Sequence, residues 1–254
     1  MEYPDIIYTK DGRVATITLN RPERMNAFSG AMIDSIQRAL QDAAADDEIR
    51  VIVLTGAGRG FCAGFDLKQS SDPGGSPPPR QAMVQGPQMP LTFASIDKPI
   101  IGCINGAAIG WGLELALLCD IRIAAENARL ADPHVNFGII DDNGGAYYLP
   151  RLLGWAKACE LAFTGQPIDG KEAEKIGLVN RAVPLEQLET VTYEMAGIMA
   201  NQPPMALQLT KRAMRNGLVS DLKMSQDYVV VLLRQLVGSR GLVEMMKSGR
   251  EKQR

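Results

Sequence analysis

Residues 98–119, KPIIGCINGAAIGWGLELALLC, restrict the fold of this chain more than any other stretch. An apolar strand, KPIIGCI, runs into an Asn-Gly turn and a glycine-rich corner from Gly106 to Gly112. An apolar run, LELALLC, then follows and is long enough to start a buried helix. A strand that enters a helix through such a corner leaves backbone N–H groups facing whatever lies in front of the helix. Glu114 stands in the first turn of that run. Two readings are open at this point. The carboxylate could move protons beside the corner, or it could only favour the helix N-terminus while the glycines allow close packing.

A second corner has the same order. RVIVLTG, 50–56, is a continuous apolar run, as expected of a strand covered on both faces. GAGRGFCAGFDLK, 56–68, follows it. It lacks the Gly-Lys-Ser/Thr ending of a phosphate-binding loop and so presents backbone to a ligand instead. Neither corner has the GxGxxG spacing and ribose-binding acid of a dinucleotide site, which makes an NAD reading weak. A third glycine corner lies at Gly144-Gly145.

Between the corners the pattern alternates strand and helix. Residues 13–19, RVATITL, alternate as a half-buried strand with Ala15, Ile17 and Leu19 on one side, after a hairpin-type Asp11-Gly12 turn. Gly30 to Ala45 predicts an amphipathic helix with Met32, Ile33, Ile36, Ala39, Leu40 and Ala43 on one face and Ser29 as N-cap. SSDPGGSPPP, 70–79, reads as a mobile loop, and Arg80 to Ser95 as a helix interrupted by Pro87 and Pro90. Residues 155–165 read as helix, and 166–183 as a turn, a short helix (Lys171 to Ile176) and a return strand. Beyond Leu185 the pattern is helical over 185–200, 204–216, 220–237 and 242–250. The expected organisation is an α/β core over 1–184, with two strands per helix, and a helical region over 185–254.

The bulk properties exclude several classes. The 254 residues suit one large α/β domain or one with an appendage. A net charge of -2 gives no reason to expect nucleic-acid binding. The basic tail KSGREKQR is read as solvated charge. No apolar run is long enough for a membrane span, and the N-terminus does not resemble a secretory signal. Four widely spaced cysteines, without a CxxC, fit reduced thiols in a cytosolic protein. The single histidine, His134, excludes a His-rich metal site, and no metal is expected.

Taken together these segments resemble the crotonase superfamily, the enoyl-CoA hydratase/isomerase family. NRPERMNAFS, VIVLTGAGRGFCAGFDLK, KPIIGCINGAAIGWGLELALLCDIRIAAENARL and FTGQPIDGKEAEKIGLVNRAVP each resemble a family segment, in the right order and spacing. The resemblance covers nearly the whole chain. It implies a crotonase-like spiral of ββα units with a C-terminal helical oligomerisation region, assembled as a homotrimer or homohexamer. It also implies an acyl-CoA thioester substrate, with coenzyme A as part of the substrate and no separate cofactor.

The resemblance assigns residues as well. The backbone N–H groups of Phe65 and Trp111 would form the oxyanion hole for the thioester enolate. Trp111 departs from the glycine of many relatives, and its indole either shapes the acyl pocket or packs on the core. Met25, Ala27, Ala63, Gly64, Asp66, Leu67 and Gly110 would line the CoA channel, with Arg24 and Lys68 as candidate phosphate contacts or solvated surface charges. Glu114 matches the first of the two glutamates that hydratases of the family use. The second falls at 134, where this chain has His134. Asp142 stands where isomerase and dehalogenase branches carry a working aspartate, although DDNGG also suits a plain acidic turn. Asp141 is read as surface. The expected chemistry is hydration of a 2-enoyl-CoA by Glu114 with Asp142 and His134 as auxiliaries. Double-bond isomerisation, acyl-CoA or ring-opening hydrolysis, and CoA-thioester binding without catalysis are the alternatives.

Overall fold

The computed structural model describes residues 2–65 and 89–237. Its first strands, β1 (Ile6–Asp11) and β2 (Val14–Leu19), form a hairpin closed at Gly12, where φ is +52°. Ala15, Ile17 and Leu19 of β2 are fully buried, as the alternation predicts. Helix α1 (Gly30–Ala45) follows, and Met32 N–H donates to the Ser29 hydroxyl at its N-cap. The expected face is buried except Ile33, which is partly so.

The rest of the core is a spiral built from strand pairs. β3 (Val51–Gly56) and β4 (Gly60–Cys62) precede α2 (Met89–Ser95). β5 (Ile100–Ile104) and β6 (Ala107–Ile109) precede α3 (Trp111–Leu117). β7 (Ile121–Ala125) and β8 (Arg129–Ala131) precede a 3-10 turn (His134–Phe137), α4 (Gly145–Leu153) and α5 (Trp155–Thr164). β9 (Ile168–Asp169), α6 (Gly170–Lys175) and β10 (Arg181–Val183) close the turn.

The first strand of each pair joins a six-stranded sheet ordered β1-β2-β3-β5-β7-β10. The second joins a four-stranded sheet ordered β4-β6-β8-β9. Pairing is parallel from β2 onward in the large sheet, with Ile52 opposite Ile100 and Ile101 opposite Ile121. β3 and β5 are buried along almost their whole length, which explains their unbroken apolar runs. Their thiol neighbours are inert: burial pushes the Cys62 and Cys119 thiols up to about 12.

The C-terminal region begins with α7 (Leu185–Ala200), which packs on the large sheet and places Leu188, Ala196 and Ala200 in the core. α8 (Pro204–Gly217) and α9 (Leu222–Val237) pack on each other. α8 is tied back by Lys211, whose ammonium meets the Lys98 carbonyl at 2.9 Å and Asp120 at 2.5 Å. The expected loop at 70–79, the first part of the helix expected from Arg80, and the helix expected at 242–250 lie outside the described residues. Among the described residues no helix is long and apolar enough to cross a membrane.

Candidate active site

The site forms where the two glycine corners meet. Backbone sterics bring them together. A Cβ on Gly112 would lie 2.0 Å from the Cys62 carbonyl oxygen, and one on Gly64 would lie 2.5 Å from that of Ile109. Gly64 also has φ +89°, a conformation that side chains rarely adopt. The same added Cβ would lie 3.4 Å from the Trp111 amide nitrogen, so the residue before Phe65 faces the start of α3.

The NRPERMNAFS loop holds the first corner. Met25 and Asn26 are left-handed, with φ of 53° and 56°. This backbone turns the Asn26 side chain inward, where it is fully buried. It donates to the Ala57 and Gly60 carbonyls at 2.9 and 2.8 Å and accepts from Arg21 N–H at 2.9 Å. Ala63 N–H donates to the Met25 carbonyl, and Phe28 N–H to that of Gly64. Met25, Ala27, Ala63, Gly64 and Phe65 are thereby gathered in one place. Arg24 ends the exposed 3-10 turn beside them. Asp66, Leu67 and Lys68 lie outside the described residues.

The Trp111 ring stands between Phe28 and Phe65, edge-to-face with both, at centroid distances of 6.0 and 5.3 Å. Its indole N–H donates to Asp142 Oδ1 at 2.7 Å. The indole therefore joins the two corners to the loop before α4, and Asp142 is exposed at that junction.

Glu114 lies behind this rim, 1% exposed. Its Oε1 accepts Asn143 N–H at 3.0 Å and Gly145 N–H at 2.8 Å. Its Oε2 is buried without a hydrogen-bond partner and lies 3.6 Å from His134 Nε2. Burial pushes the Glu114 carboxyl up to about 8, against the opposing pull of the Gly145 amide and the His134 charge.

His134 is itself held from the far side. Its Nδ1 meets Asp132 Oδ1 at 2.5 Å and Asp141 Oδ1 at 2.8 Å. Burial alone would lower this imidazole, but the hydrogen bonds to Asp132 and Asp141 and the Glu114 charge outweigh it and raise it to about 10. Burial raises Asp132, and the His134 hydrogen bond holds Asp141 low despite its burial. The expectation that Asp141 is a surface residue is corrected here: its side chain is 11% exposed and turned onto His134. Neither Asp132 nor Asp141 was legible as part of the site. The available signal was the Asp-Pro-His spacing, and the DDNGG turn hid it.

Ligand-type atoms of Glu114, His134 and Asp142 lie within 4.8 Å of one another, as do those of Asp132, His134 and Asp141. In the second group Nδ1 is hydrogen-bonded to Asp132 and lies 2.8 Å from Asp141 Oδ1. Gly110 lies beside the His134 ring and has φ +54°, a backbone conformation that side chains rarely adopt.

The fold and site together define a ββα-spiral protein with a buried glutamate–histidine pair beside two backbone corners. Residues 9–247 match the family model described as enoyl-CoA hydratase/isomerase. Among curated relatives, the short-chain-enoyl-CoA hydratase of Clostridium acetobutylicum is 35% identical over 223 residues, 87% of this chain and 85% of that protein. The 1,2-epoxyphenylacetyl-CoA isomerase of Escherichia coli is 39% identical over 222 residues, 85% of each chain. The crystal structure of an enoyl-CoA hydratase from Bacillus anthracis superposes with a TM-score of 0.90 at 34% identity, covering 98% of this chain and 96% of that one. The chain belongs to the enoyl-CoA hydratase/isomerase family.

Proposed function

We propose that this protein is an acyl-CoA enzyme that adds water to a 2-enoyl-CoA through a thioester enolate; its likeness to a short-chain-enoyl-CoA hydratase supports the reading. The observation that carries the reading is the 3.6 Å gap between Glu114 Oε2 and His134 Nε2. One oxygen of Glu114 is fixed by two amides, so the other is free to act on water or a carbon-bound proton. Hydration needs one group to take a proton from water and another to protonate Cα. Glu114 and His134 face each other across a distance suited to that pair. The thioester oxygen would be held by the N–H groups of Phe65 and Trp111; the closeness of the two corners, with the Phe65 and Trp111 rings 5.3 Å apart, supports this placement. Preorganised donors of this kind lower a barrier by several kcal/mol. Met25, Ala27, Ala63, Gly64 and Gly110 would line the channel to coenzyme A, with Arg24 as a candidate phosphate contact. No cofactor beyond the CoA of the substrate is part of this reading.

The protein would work in the cytoplasm as a trimer or hexamer. Support for assembly comes from the apolar side chains left exposed on the C-terminal helices, among them Met214, Leu218, Leu222, Val231 and Leu233. Four free thiols fit a reducing compartment.

A second reading, double-bond isomerisation, is favoured by one observation: Asp142 is exposed beside the site and anchored by Trp111. An isomerase needs only carboxylates that carry a proton between two carbons. Incubation with crotonyl-CoA, followed by enoyl absorbance, decides between them. Loss of absorbance that Glu114→Gln abolishes, by a factor of about 10²–10⁴, supports hydration. Conversion of a 3-enoyl-CoA that Asp142→Asn abolishes, without turnover of crotonyl-CoA, establishes the isomerase instead.

A further inference from the structure

We propose that Asp132 and Asp141 are positioning residues that grip His134 through Nδ1, fix it as an imidazolium, and so make its Nε2–H the proton donor opposite Glu114. The inference deepens the hydration reading and rests on it for the catalytic step, while the grip itself can be read without turnover.

The geometry allows few alternatives. Two carboxylate oxygens, at 2.5 and 2.8 Å, converge on one ring nitrogen, so Nδ1 carries hydrogen. His134 is 5% exposed. Around it stand Asp132 before the turn, Asp141 and Asp142 from the loop before α4, and Glu114 from α3. α5 also packs on the 3-10 turn, and its Lys157 and Glu160 pair with each other at 2.7 Å. Four carboxyl groups therefore surround the ring, and the charge of Asp141, which the His134 hydrogen bond holds low, favours an imidazolium. The upward displacement of this imidazole agrees with that.

The assignment closes a proton cycle. Glu114 Oε2 takes a proton from water as the water oxygen bonds to Cβ. The C=C electrons move toward the thioester, giving the enolate. His134 Nε2 gives its proton to Cα, and the enolate electrons form the new C–H bond. Glu114 is then protonated and His134 neutral. Transfer of that proton from Oε2 to Nε2 across the 3.6 Å gap restores both groups, with no outside acid or base consumed.

His134 is the only histidine in the chain, so a tag-free, histidine-labelled protein gives one imidazole signal by NMR. The wild-type ring should carry the imidazolium 15N pattern at pH 8. Its midpoint should fall by at least about one pH unit in Asp132→Asn and in Asp141→Asn, with Asp141→Glu restoring it. A wild-type midpoint near the ordinary ~6.5, or one unmoved in both Asn variants, overturns the proposal. The wild-type titration decides even if an Asn variant does not fold. A high, Asp-dependent midpoint in a protein that does not hydrate crotonyl-CoA leaves the grip standing and removes the hydration reading. Hydration with an ordinary midpoint does the reverse.

Discussion

The two oxygens of Glu114 have different surroundings. Oε1 is saturated by amides and Oε2 is bare. If the carboxylate is the base, it must be ionised, so kcat/KM should rise with pH through about 8. It should decline again above about 10, where His134 loses its proton. A stopped-rate series from pH 6 to 11 checks both limbs, and a profile flat across this window would exclude these two groups. The same burial affects stability. The Glu114 carboxyl is raised from 4.5 to about 8 in the folded chain. Its contribution to stability is therefore complete below 4.5 and lost as the pH climbs through about 8. Glu114→Gln keeps the acceptor oxygen and removes the charge. At pH 9 it should melt above the wild type although inactive, and this advantage should vanish at pH 4; calorimetry at the two pH values reads the difference. Asn26 acts at a distance from the chemistry. Asn26→Ala would remove the side-chain hydrogen bonds to the Ala57 and Gly60 carbonyls and from the Arg21 amide. We expect a loss of about 2–3 kcal/mol in urea denaturation, with coenzyme A binding weakened in step.

At the scale of elements, each glycine corner is a strand-to-helix turn whose closeness is set by backbone contacts. Gly112 seats the start of α3 on the Cys62 carbonyl, so Gly112→Ala should destabilise by about 3 kcal/mol or yield insoluble protein. Gly138, in contrast, has φ +69° with nothing near its α-carbon, so Gly138→Ala should show only the smaller strain of a left-handed residue, ~1 kcal/mol. Thermal melts of the pair separate crowding from strain. The long elements were legible: α1, β3, β5, α5 and α7 to α9 fall where periodicity and apolar runs place them. The short strands β4, β6, β8 and β9 have two or three residues each, too few to show alternation. Helix α4 was hidden by Pro150 inside it, although the missing N–H at that position still leaves a one-turn start from Gly145.

For the molecule as a whole, the apolar faces of α8 and α9 are the feature a lone subunit explains least. Sedimentation should give three or six times the 27.5 kDa chain mass; a species at 27.5 kDa at micromolar concentration would contradict the proposed assembly. The sequence by itself pointed to the family, the two corners, Glu114 as the candidate acid, and the order of the long strands and helices. These follow from local pattern, since apolar runs, caps and glycine spacing act over a few residues. Only the tertiary structure decided what surrounds His134. Asp132 lies two residues away, Asp141 seven and Glu114 twenty on the chain, yet all three carboxyls reach the same ring. Their convergence depends on how α3, the end of β8 and the loop before α4 pack. A charge changes meaning when packing removes water from it and puts another charge in its place, and neither event leaves a mark on local sequence. The Cys103–Cys119 stretch thus carries its acid wherever the chain goes, but the partner of that acid is chosen by the fold.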